Sequence, residues 1–285
     1  MSNLTLEQYN PKVVAKALSS FPFVTIDGVS NVRTLGSYPV GYREPNGGCL
    51  ATRPNFMFRG AEVSGITERG VQQLQNLNIK KVFDLRSEVE MHRNGAYMPA
   101  IKNVEVVWTP VFKSEDFSDT AMASKFEMYS SDNIEAFMQQ YTEILDNAGP
   151  AYAAILAHIR DRPQEGCLFH CTAGKDRTGL IAAILFKLAG VHDEYIVEDY
   201  HLTEIGRAPD RDKVMQRLSR HQFFIKNPQR ASNMLRARRE VMAAFLNLLQ
   251  QKYGGAEAYV KRYCQMTDED IRVIRQNMLI SSPRL

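Results

Sequence analysis

Apolar and polar residues in the first half of the chain fall into blocks with the lengths of helices and strands. After Thr67, the apolar residues Val71, Leu74 and Leu77 recur at intervals of three, which predicts a helix that begins near Thr67 and buries one face. The segment 79–85 follows at once and has the length and the Ile, Val and Phe content of a strand. A helix that leads directly into a strand indicates the beginning of an alternating pattern.

The same alternation continues through the rest of the chain. A strand is predicted over 104–108, helices over 133–146 and 150–160, and a buried strand over 166–169. The run 180–188 is apolar nearly all round, which is typical of a helix buried on every side. Strands that alternate with helices predict an α/β fold.

The segments outside this pattern are more polar and richer in turn residues. Residues 1–20 are interpreted as a short polar arm or helix, and 21–60 as strands and loops at the first edge of the sheet. The stretch 112–132, rich in Ser, Asp and Met, is interpreted as a mobile loop near the functional site. No linker rich in Pro, Gly or Ser divides the chain, so 21–285 is predicted to be one domain.

Composition places the chain among ordinary globular proteins. It has 285 residues, of which 44% are hydrophobic and 24% charged, enough for a sizeable core. No apolar run approaches the roughly 20 residues needed to cross a bilayer, and the polar N-terminus lacks the apolar centre of a signal peptide. We therefore expect a cytoplasmic protein, with export by a route that leaves no readable signal as the open alternative.

Positive charge is concentrated in the segment 207–239. This segment carries ten Lys and Arg residues against Asp210 and Asp212, a net charge of +8 in a chain whose total is +3. It is either a solvated helical face or a basic lid that attracts anionic substrates or an anionic membrane surface. Nucleic acid is not an expected partner, since no interleaved aromatic and basic motif is present. The ten cations are Arg207, Arg211, Lys213, Arg217, Arg220, Lys226, Arg230, Arg236, Arg238 and Arg239.

The segment 170–179, with the sequence HCTAGKDRTG, carries the clearest chemical signal. It lies between the buried strand 166–169 and the apolar helix 180–188. A tight loop between a strand and the start of a helix directs consecutive backbone N–H groups and the positive end of the helix at one point, where a phosphate binds. A Walker-type phosphate loop is excluded, because the order Gly-Lys-Ser/Thr is missing.

The residue types in this block suit covalent phosphate chemistry. Cys171, beside cations and before a helix, is expected to be a thiolate that attacks phosphorus and forms a thiophosphoryl intermediate. Arg177 offers a planar fork of donors that fits two phosphate oxygens. Gly174 permits a close backbone approach, Thr178 offers a hydroxyl to the departing thiolate, and Lys175 adds positive charge.

The form His-Cys-x5-Arg-Thr resembles the phosphate loop of the protein tyrosine phosphatase superfamily. The narrower pattern HCxxGKDRTG is similar to that of an atypical branch with secreted mycobacterial and listerial phosphatases and fungal relatives. Further motifs that resemble those of this branch extend from about residue 20 to 280. Thr34, Ser37 and Gly60 differ from the residues that are usual at these positions of the family's motifs. The supporting motifs are NVRTLGSYP at 31–39, FRG at 58–60, VFDLRS at 82–87, IVEDY at 196–200 and YGGAEAY at 253–259.

The resemblance implies a tyrosine-phosphatase-like α/β fold, with a central, mostly parallel sheet flanked by helices and a helical lid insertion. It implies a phosphatase for phosphotyrosine, often for phosphoserine or phosphothreonine, and in several relatives for phosphoinositides, without a cofactor. Cys171 is then the nucleophile, Thr178 assists thiolate departure, and His170 orients the loop and tunes Cys171. Phosphate is held by Arg177 and by the loop residues Thr172, Ala173, Gly174, Lys175 and Asp176.

The general acid stays open at this point. Asp176 lies inside the loop, and the resemblance to this branch favours it. Asp84 is the second candidate for the general acid, because it lies at the carboxyl end of its strand, which faces the same crevice as the loop 170–179. A salt bridge to Arg86 is an alternative role for Asp84. The acids of the loop 112–132 are further candidates. They are Asp116, Asp119 and Asp132.

Two other functions compete with a phosphatase. A catalytically silent module that binds phosphate or phosphoinositide is disfavoured, because every loop residue that the chemistry requires is present. A sulfurtransferase of the rhodanese type also uses a cysteine loop, but the run KDRTG at 175–179 argues against it. No metal is expected, because the four cysteines show no paired ligand spacing. They are Cys49, Cys167, Cys171 and Cys264.

Overall fold

The computed structural model describes residues 10–43, 48–113, 126–128, 130, 133–219, 222–226 and 228–282. Within these residues, five strands form the main sheet in the order β1-β4-β7-β5-β6. Neighbours from β4 to β6 pair in parallel, and β1 pairs with β4 in the antiparallel sense. The strands are β1 (Arg33–Thr34), β4 (Met57–Gly60), β5 (Ile79–Asp84), β6 (Glu105–Trp108) and β7 (Gly166–His170).

A smaller antiparallel sheet lies apart from the main one. It consists of β2 (Pro39–Arg43), β3 (Cys49–Thr52) and β8 (Leu279–Ser282), with β3 in the middle. The last strand of the chain therefore pairs with one of the first, so both ends of the fold are tied together by backbone hydrogen bonds.

Helices occupy most of the remaining described chain. In the first half they are α1 (Pro11–Leu18), α2 (Glu68–Asn76), α3 (Glu88–Asn94) and α4 (Ile134–Asp161). After the central strand come α5 (Asp176–Ala189), α6 (Asp193–His201) and α7 (Thr203–Gly206). A 3-10 turn (Ala208–Asp210) leads into α8 (Arg211–Leu218), α9 (Gln222–Lys226) and α10 (Pro228–Met234). The C-terminal helices are α11 (Arg239–Tyr253), α12 (Gly255–Cys264) and α13 (Asp268–Met278).

The α/β fold predicted from the alternating pattern is confirmed. The helix expected after Thr67 is α2, and the Thr67 hydroxyl caps it by accepting a hydrogen bond from the Gly70 N–H at 3.1 Å. The strands expected over 79–85 and 104–108 are β5 and β6. Local sequence was sufficient here, because α2 buries the apolar face that contains Leu74, and β5 and β6 are short runs rich in β-branched and aromatic residues.

The main sheet is covered on both sides, and β7 is completely buried. Phe169 faces the larger core, which contains the inner faces of α4, α5 and the C-terminal helices. Leu168 faces the opposite core, together with Leu74 of α2 and Ile26 of the N-terminal segment. The nearly complete burial of α5 agrees with its all-round apolar sequence.

The prediction of two helices over 133–146 and 150–160 is wrong, since α4 runs unbroken through Pro150. A proline removes one hydrogen bond from a helix and usually ends or kinks it. Here tertiary packing supports the helix: Tyr259 of α12 donates its hydroxyl to the Leu145 carbonyl at 2.8 Å. A Cβ on Gly149 would lie 2.2 Å from the Tyr263 carbonyl oxygen, so α12 is seated directly against this turn.

Two sequence predictions fall partly on residues outside this description. Of the proposed loop 112–132, the structure covers 112–113, 126–128 and 130, so Asp116, Asp119 and Asp132 lie outside the described residues. The proposed N-terminal arm contains α1, while 1–9 lie outside. Among the described helices, none combines the length and the apolar character needed to span a bilayer.

The contact between α4 and α12 gives a test of the fold. Replacing Gly149 by Ala places a methyl group against the Tyr263 carbonyl, and we expect it to lower the free energy of unfolding by about 2 kcal/mol through overpacking. Urea unfolding followed by circular dichroism measures the change. Asn147→Ala, an exposed position on the same helix, is the control and should stay within about 0.5 kcal/mol of wild type. An unchanged Gly149→Ala variant would contradict the close packing.

Candidate active site

Four residues in register mark the carboxyl end of the main sheet. Gly60, His170, Asp84 and Trp108 end neighbouring strands, in the order β4, β7, β5 and β6. The central strand passes directly into the loop 171–175, and α5 begins at Asp176. Ligands bind at this edge of parallel sheets, so the sequence block 170–179 lies where such a fold places its site.

The loop follows a path that requires glycine at one position. Gly174 has φ +66°, in the left-handed region that favours glycine. A Cβ there would lie 2.2 Å from the Gly60 carbonyl oxygen. The end of β4 therefore lies directly against the loop, and a side chain at position 174 would collide with it.

The carbonyl groups of the loop are held by donors from outside it. The Asn31 side-chain amide donates to the Ala173 carbonyl at 2.9 Å, and the Arg59 guanidinium donates to the Gly174 carbonyl at 2.7 Å. The backbone N–H of Glu62 donates to the Thr172 carbonyl at 3.3 Å. Because these three carbonyl groups point to donors outside the loop, the N–H groups of the same peptides point in the opposite direction, where a ligand can accept their hydrogen bonds.

A buried ion cluster fixes these donors. Asp199 accepts from Arg33 at 3.0 Å and from Arg59 at 2.5 Å, and all three side chains are almost fully buried. Burial acts to raise the pKa of Asp199, but Arg59 and Arg33 outweigh it and hold that pKa below its usual value. Arg33 also donates to the Asn31 side-chain oxygen. The motifs at 31–39, 58–60 and 196–200 thus meet behind the loop and position it.

The opposite side of the loop forms a cradle of backbone donors. The N–H groups of Thr172, Ala173, Gly174 and Asp176 donate to no acceptor within the part of the chain that the structure describes. Lys175 is the N-cap of α5 and makes no side-chain cap, so the first turn of the helix presents its positive end to the same place. Backbone donors and a helix N-terminus in this arrangement have the chemistry to bind a tetrahedral anion.

Arg177 is positioned by a carboxylate that sequence analysis missed. Glu90 of α3 receives two hydrogen bonds from the Arg177 fork, at 2.5 and 2.6 Å, and a third from the Thr172 hydroxyl at 2.9 Å. Burial would raise the pKa of Glu90, but Arg177 lowers it to about 2, so this carboxyl remains ionised at any working pH. A guanidinium has five N–H donors, so a phosphate can share Arg177 with Glu90.

A local signal for Glu90 exists in the sequence. Ser87 and Glu90 form a capping box at the start of α3, in which the Ser87 N–H donates to Glu90 at 2.9 Å. The pattern S-x-x-E immediately after the strand β5 predicts this cap. It does not predict the contact with Arg177, which depends on the neighbouring positions of β5 and β7.

Cys171 lies at the base of the cradle and is only 3% exposed. The preceding His170 is fully buried, with Nδ1 3.1 Å from the Cys171 carbonyl oxygen and Nε2 3.8 Å from Asp84. Burial lowers the pKa of His170, although Asp84 acts to raise it. Thr178 is also buried, and its hydroxyl has no hydrogen-bond partner among the described residues, which leaves it available to a group in the cradle.

The two candidate acids have different surroundings. Asp84 is fully buried and binds Arg86 through both carboxylate oxygens, at 2.6 to 3.1 Å. Burial alone would raise the pKa of Asp84, but His170 and the Arg86 guanidinium hold it below its usual value. Asp176 begins α5 with its side chain 15% exposed and accepts a hydrogen bond from the Tyr141 hydroxyl at 2.8 Å.

Lys175 extends away from the backbone donors of the cradle. Its ammonium donates to the carbonyls of Met234 and Arg236, at 3.3 and 3.2 Å, and lies 5.7 Å from the centre of the Phe137 ring. The same ammonium is 3.9 Å from Asp176. Lys175 therefore connects the loop to the end of the basic segment 207–239.

Comparison with known proteins decides the family. The sequence model described as "Tyrosine phosphatase family" matches residues 24–280. The chain belongs to this family, and it is a phosphoric monoester hydrolase of the tyrosine phosphatase type. We refer to 171–177 as the phosphate loop, because the segment 170–179 resembles the loop of that name in the tyrosine phosphatase superfamily.

The individual relatives are only distantly similar to this chain in sequence. A tyrosine-protein phosphatase of Nostoc commune is 27% identical over 77% of this chain and 73% of its own length. The triple specificity protein phosphatase PtpB of Mycobacterium tuberculosis is 24% identical over 77% of this chain and 90% of its own length. The crystal structure of TpbA from P. aeruginosa aligns with 61% of this chain and 83% of its own, at 16% identity and a TM-score of 0.28.

The contact between Glu90 and Arg177 gives a test of the phosphatase site. Glu90→Gln keeps the cap on Ser87 but removes the charge that fixes Arg177, and we expect kcat/KM for p-nitrophenyl phosphate to fall about 100-fold. Glu88→Gln, an exposed carboxylate on the same helix, is the control and should stay within about twofold. Equal activities of the two variants would contradict the positioning role of Glu90.

Proposed function

We propose that this phosphatase hydrolyses phosphotyrosine in proteins through a phosphocysteine intermediate. One observation carries the proposal: the backbone donors of the phosphate loop, the Arg177 guanidinium and the Cys171 thiol belong to a single strand–loop–helix unit. A phosphate bound by these donors has its phosphorus next to the cysteine sulfur. Such positioning and charge stabilisation is most of what phosphoryl transfer requires.

The reaction divides into two displacements at phosphorus. In the first, the Cys171 thiolate forms the S–P bond while the P–O bond to the substrate breaks, and the leaving oxygen takes a proton from the general acid. In the second, water forms a P–O bond, the S–P bond breaks, and the same carboxylate accepts the proton of the water. The buried Thr178 hydroxyl donates to the thiolate as it departs, which is the role expected for it from the sequence.

We assign the general acid to Asp176. The Tyr141 hydroxyl orients its carboxyl through Oδ1, and Tyr141 in turn is 2.8 Å from the Tyr200 hydroxyl. Asp84 is the weaker candidate, because its two oxygens are engaged by Arg86 and it has no exposed surface. An acid must reach the leaving oxygen in a substrate complex, and a fully buried ion pair is poorly suited to that task.

The range of substrates follows from the surroundings of the loop and from the relatives. The name of the relative PtpB describes triple specificity, which supports activity of this chain on more than one class of phosphomonoester. The further classes that the sequence resemblance implies are phosphoserine, phosphothreonine and phosphoinositides. The basic segment 207–239 supports attraction of anionic substrates or of an anionic membrane surface. Of its cations, Arg220 lies outside the described residues.

The covalent step is tested by Cys171→Ser. This change removes the thiolate and keeps the fold, so turnover of p-nitrophenyl phosphate should fall at least about 10⁴-fold while phosphotyrosine peptides still bind. Acid quenching of wild type with a ³²P-labelled phosphotyrosine substrate should leave label on protein, and none on Cys171→Ser. A wild type without turnover from pH 5 to 8 would sink the proposal and favour a silent phosphate-binding module.

The identity of the acid is tested with leaving groups of different quality. Asp176→Asn should lower kcat for phenyl phosphate, whose alcohol needs a proton, about 100-fold or more, and kcat for p-nitrophenyl phosphate much less. Tyr141→Phe should change the same ratio in the same direction, since it releases the Asp176 carboxyl. Asp84→Asn is the comparison. If Asp84→Asn alone shows this dependence on the leaving group, the assignment to Asp176 is wrong.

A further inference from the structure

Arg207 follows helix α7 directly and is held close to the phosphate loop. The preceding Gly206 packs against Asn31, since a Cβ at Gly206 would collide with the Asn31 side-chain oxygen, and the Asn31 N–H donates to the Gly206 carbonyl at 3.1 Å. Asn31 also donates to the Ala173 carbonyl of the loop at 2.9 Å. A single residue, Asn31, therefore ties the backbone next to Arg207 to the phosphate loop.

One corner of the Arg207 guanidinium is held by neighbouring side chains. Its Nη1 atom donates to the Ser30 hydroxyl at 2.9 Å and lies 2.9 Å from a carboxylate oxygen of Asp210. The Ser30 carbonyl accepts from the Ala61 N–H at 3.0 Å, and the N–H of the next residue, Glu62, donates to the phosphate loop. These contacts place the guanidinium beside the chain that continues from β4 and supports the loop.

The other edge of this guanidinium has no acceptor in the described parts of the chain. Nε and Nη2 of Arg207 make no hydrogen bond or ion pair there, although the side chain is only 15% exposed. The same edge binds a carboxylate elsewhere in this protein, since Arg86 engages Asp84 through Nε and Nη2 at 2.6 to 3.1 Å. Two parallel N–H groups also fit two oxygens of a phosphate. A cationic fork that is mostly withdrawn from water and lacks an acceptor indicates an anionic ligand.

Arg207 shares a cavity with the phosphate loop. The cavity has a volume of about 700 Å³, and Arg207, Glu62 and Thr172 of the loop all line it. Glu62 accepts from the Ser64 N–H at 3.0 Å and pairs with Arg86 at 3.4 Å, but it makes no hydrogen bond with Arg207. The acceptor that the fork lacks must therefore come from outside the chain.

The charge of the proposed nucleophile reaches Arg207. Burial lowers the pKa of Arg207, and the positive charge of Arg217 lowers it further. Asp210, Glu62 and the Cys171 thiolate act to raise that pKa. A guanidinium stays protonated in proteins, so Arg207 is a fixed cation within electrostatic range of the sulfur that a bound phosphate would adjoin.

We infer that Arg207 is a second phosphate-binding arginine, whose Nε and Nη2 groups donate to the phosphoryl oxygens of a substrate held in the cradle. The inference rests on the proposed function, since it takes the loop 171–177 as the phosphate site. Arg177 divides its donors between Glu90 and the phosphate, which leaves fewer N–H groups for the three equatorial oxygens of the phosphoryl group. Arg207 adds a second fork from the cavity side.

The test measures phosphate affinity without turnover. On Cys171→Ser, calorimetry gives the dissociation constant of inorganic phosphate, and adding Arg207→Gln should raise it about tenfold, because two hydrogen bonds from a charged donor are lost. Adding Arg207→Lys keeps the charge but removes the fork, so the constant should still rise about fivefold. With Cys171 intact, Arg207→Gln should lower kcat/KM for p-nitrophenyl phosphate by a similar factor.

Asp210→Asn tests the same contact with the opposite sign. It removes the carboxylate that competes for Arg207 and leaves the arginine in place, so on Cys171→Ser the dissociation constant of phosphate should fall about threefold. This variant keeps the inference testable if circular dichroism shows that Arg207→Gln does not fold.

Two further substitutions serve as comparisons. Lys213 is exposed on α8 and lines the same cavity, so Lys213→Gln should raise the dissociation constant about twofold at low ionic strength and leave it unchanged at about 0.5 M salt. The effect of Arg207→Gln should persist at the higher salt concentration. Arg162, 64% exposed and located before the start of β7 at the other edge of the sheet, is the matched control, and Arg162→Gln should leave the constant unchanged.

Three results would overturn the inference. They are an unchanged dissociation constant in Arg207→Gln, full rescue of phosphate binding by Arg207→Lys, and an effect of Arg207→Gln that disappears at high salt as that of Lys213→Gln does. If Arg207→Gln does not fold, an unchanged or weaker affinity in Asp210→Asn overturns it instead. Absence of phosphate binding by Cys171→Ser itself, together with absence of turnover by wild type, would count against the proposed function.

Discussion

The phosphate loop depends on one buried ion cluster, in which Asp199 joins Arg33 to Arg59. Arg59 in turn holds the Gly174 carbonyl, and Asn31, bound by Arg33, holds the Ala173 carbonyl. Removing one partner of such a cluster leaves an uncompensated buried charge, which typically costs 3–5 kcal/mol. The cluster therefore also orients the proposed phosphate donors. Each peptide group is planar, so the direction of a loop carbonyl fixes the direction of the N–H group that follows it.

The side chains that orient Arg177 and Asp176 come from helices far from the phosphate loop in sequence. Glu90 approaches Arg177 from α3, and Tyr141 approaches Asp176 from the long helix α4. Each contact orients one functional group that already belongs to the loop or to the start of α5. The proposed nucleophile, phosphate-binding arginine and general acid are thus close in sequence, while the residues that orient Arg177 and Asp176 are distant in sequence.

The basic segment 207–239, which contacts the phosphate loop through Lys175, packs differently from the loop itself. Residues Leu218 and Phe224 form a small apolar cluster of their own with Phe126, separate from the two cores that cover the sheet. The contact of Lys175 with the carbonyls of Met234 and Arg236 attaches the end of this region to the phosphate loop. Buried ion pairs therefore hold the phosphate loop, whereas Leu218 and Phe224 of the segment 207–239 pack in a small separate cluster.

The sequence alone determined the alternation of strands and helices and the strand–loop–helix unit that contains Cys171 and Arg177, because periodicity and short spacing are local properties. The motif around Asn31 and Arg33 indicated a resemblance to the tyrosine phosphatase superfamily. Its physical role, support of the Ala173 carbonyl, became visible only in the folded structure. Tertiary structure alone decided that α4 continues through Pro150 and that Glu90 positions Arg177. Those outcomes depend on contacts between residues far apart in the chain, 87 positions for Glu90 and Arg177, and only the order of strands in the sheet brings such residues together.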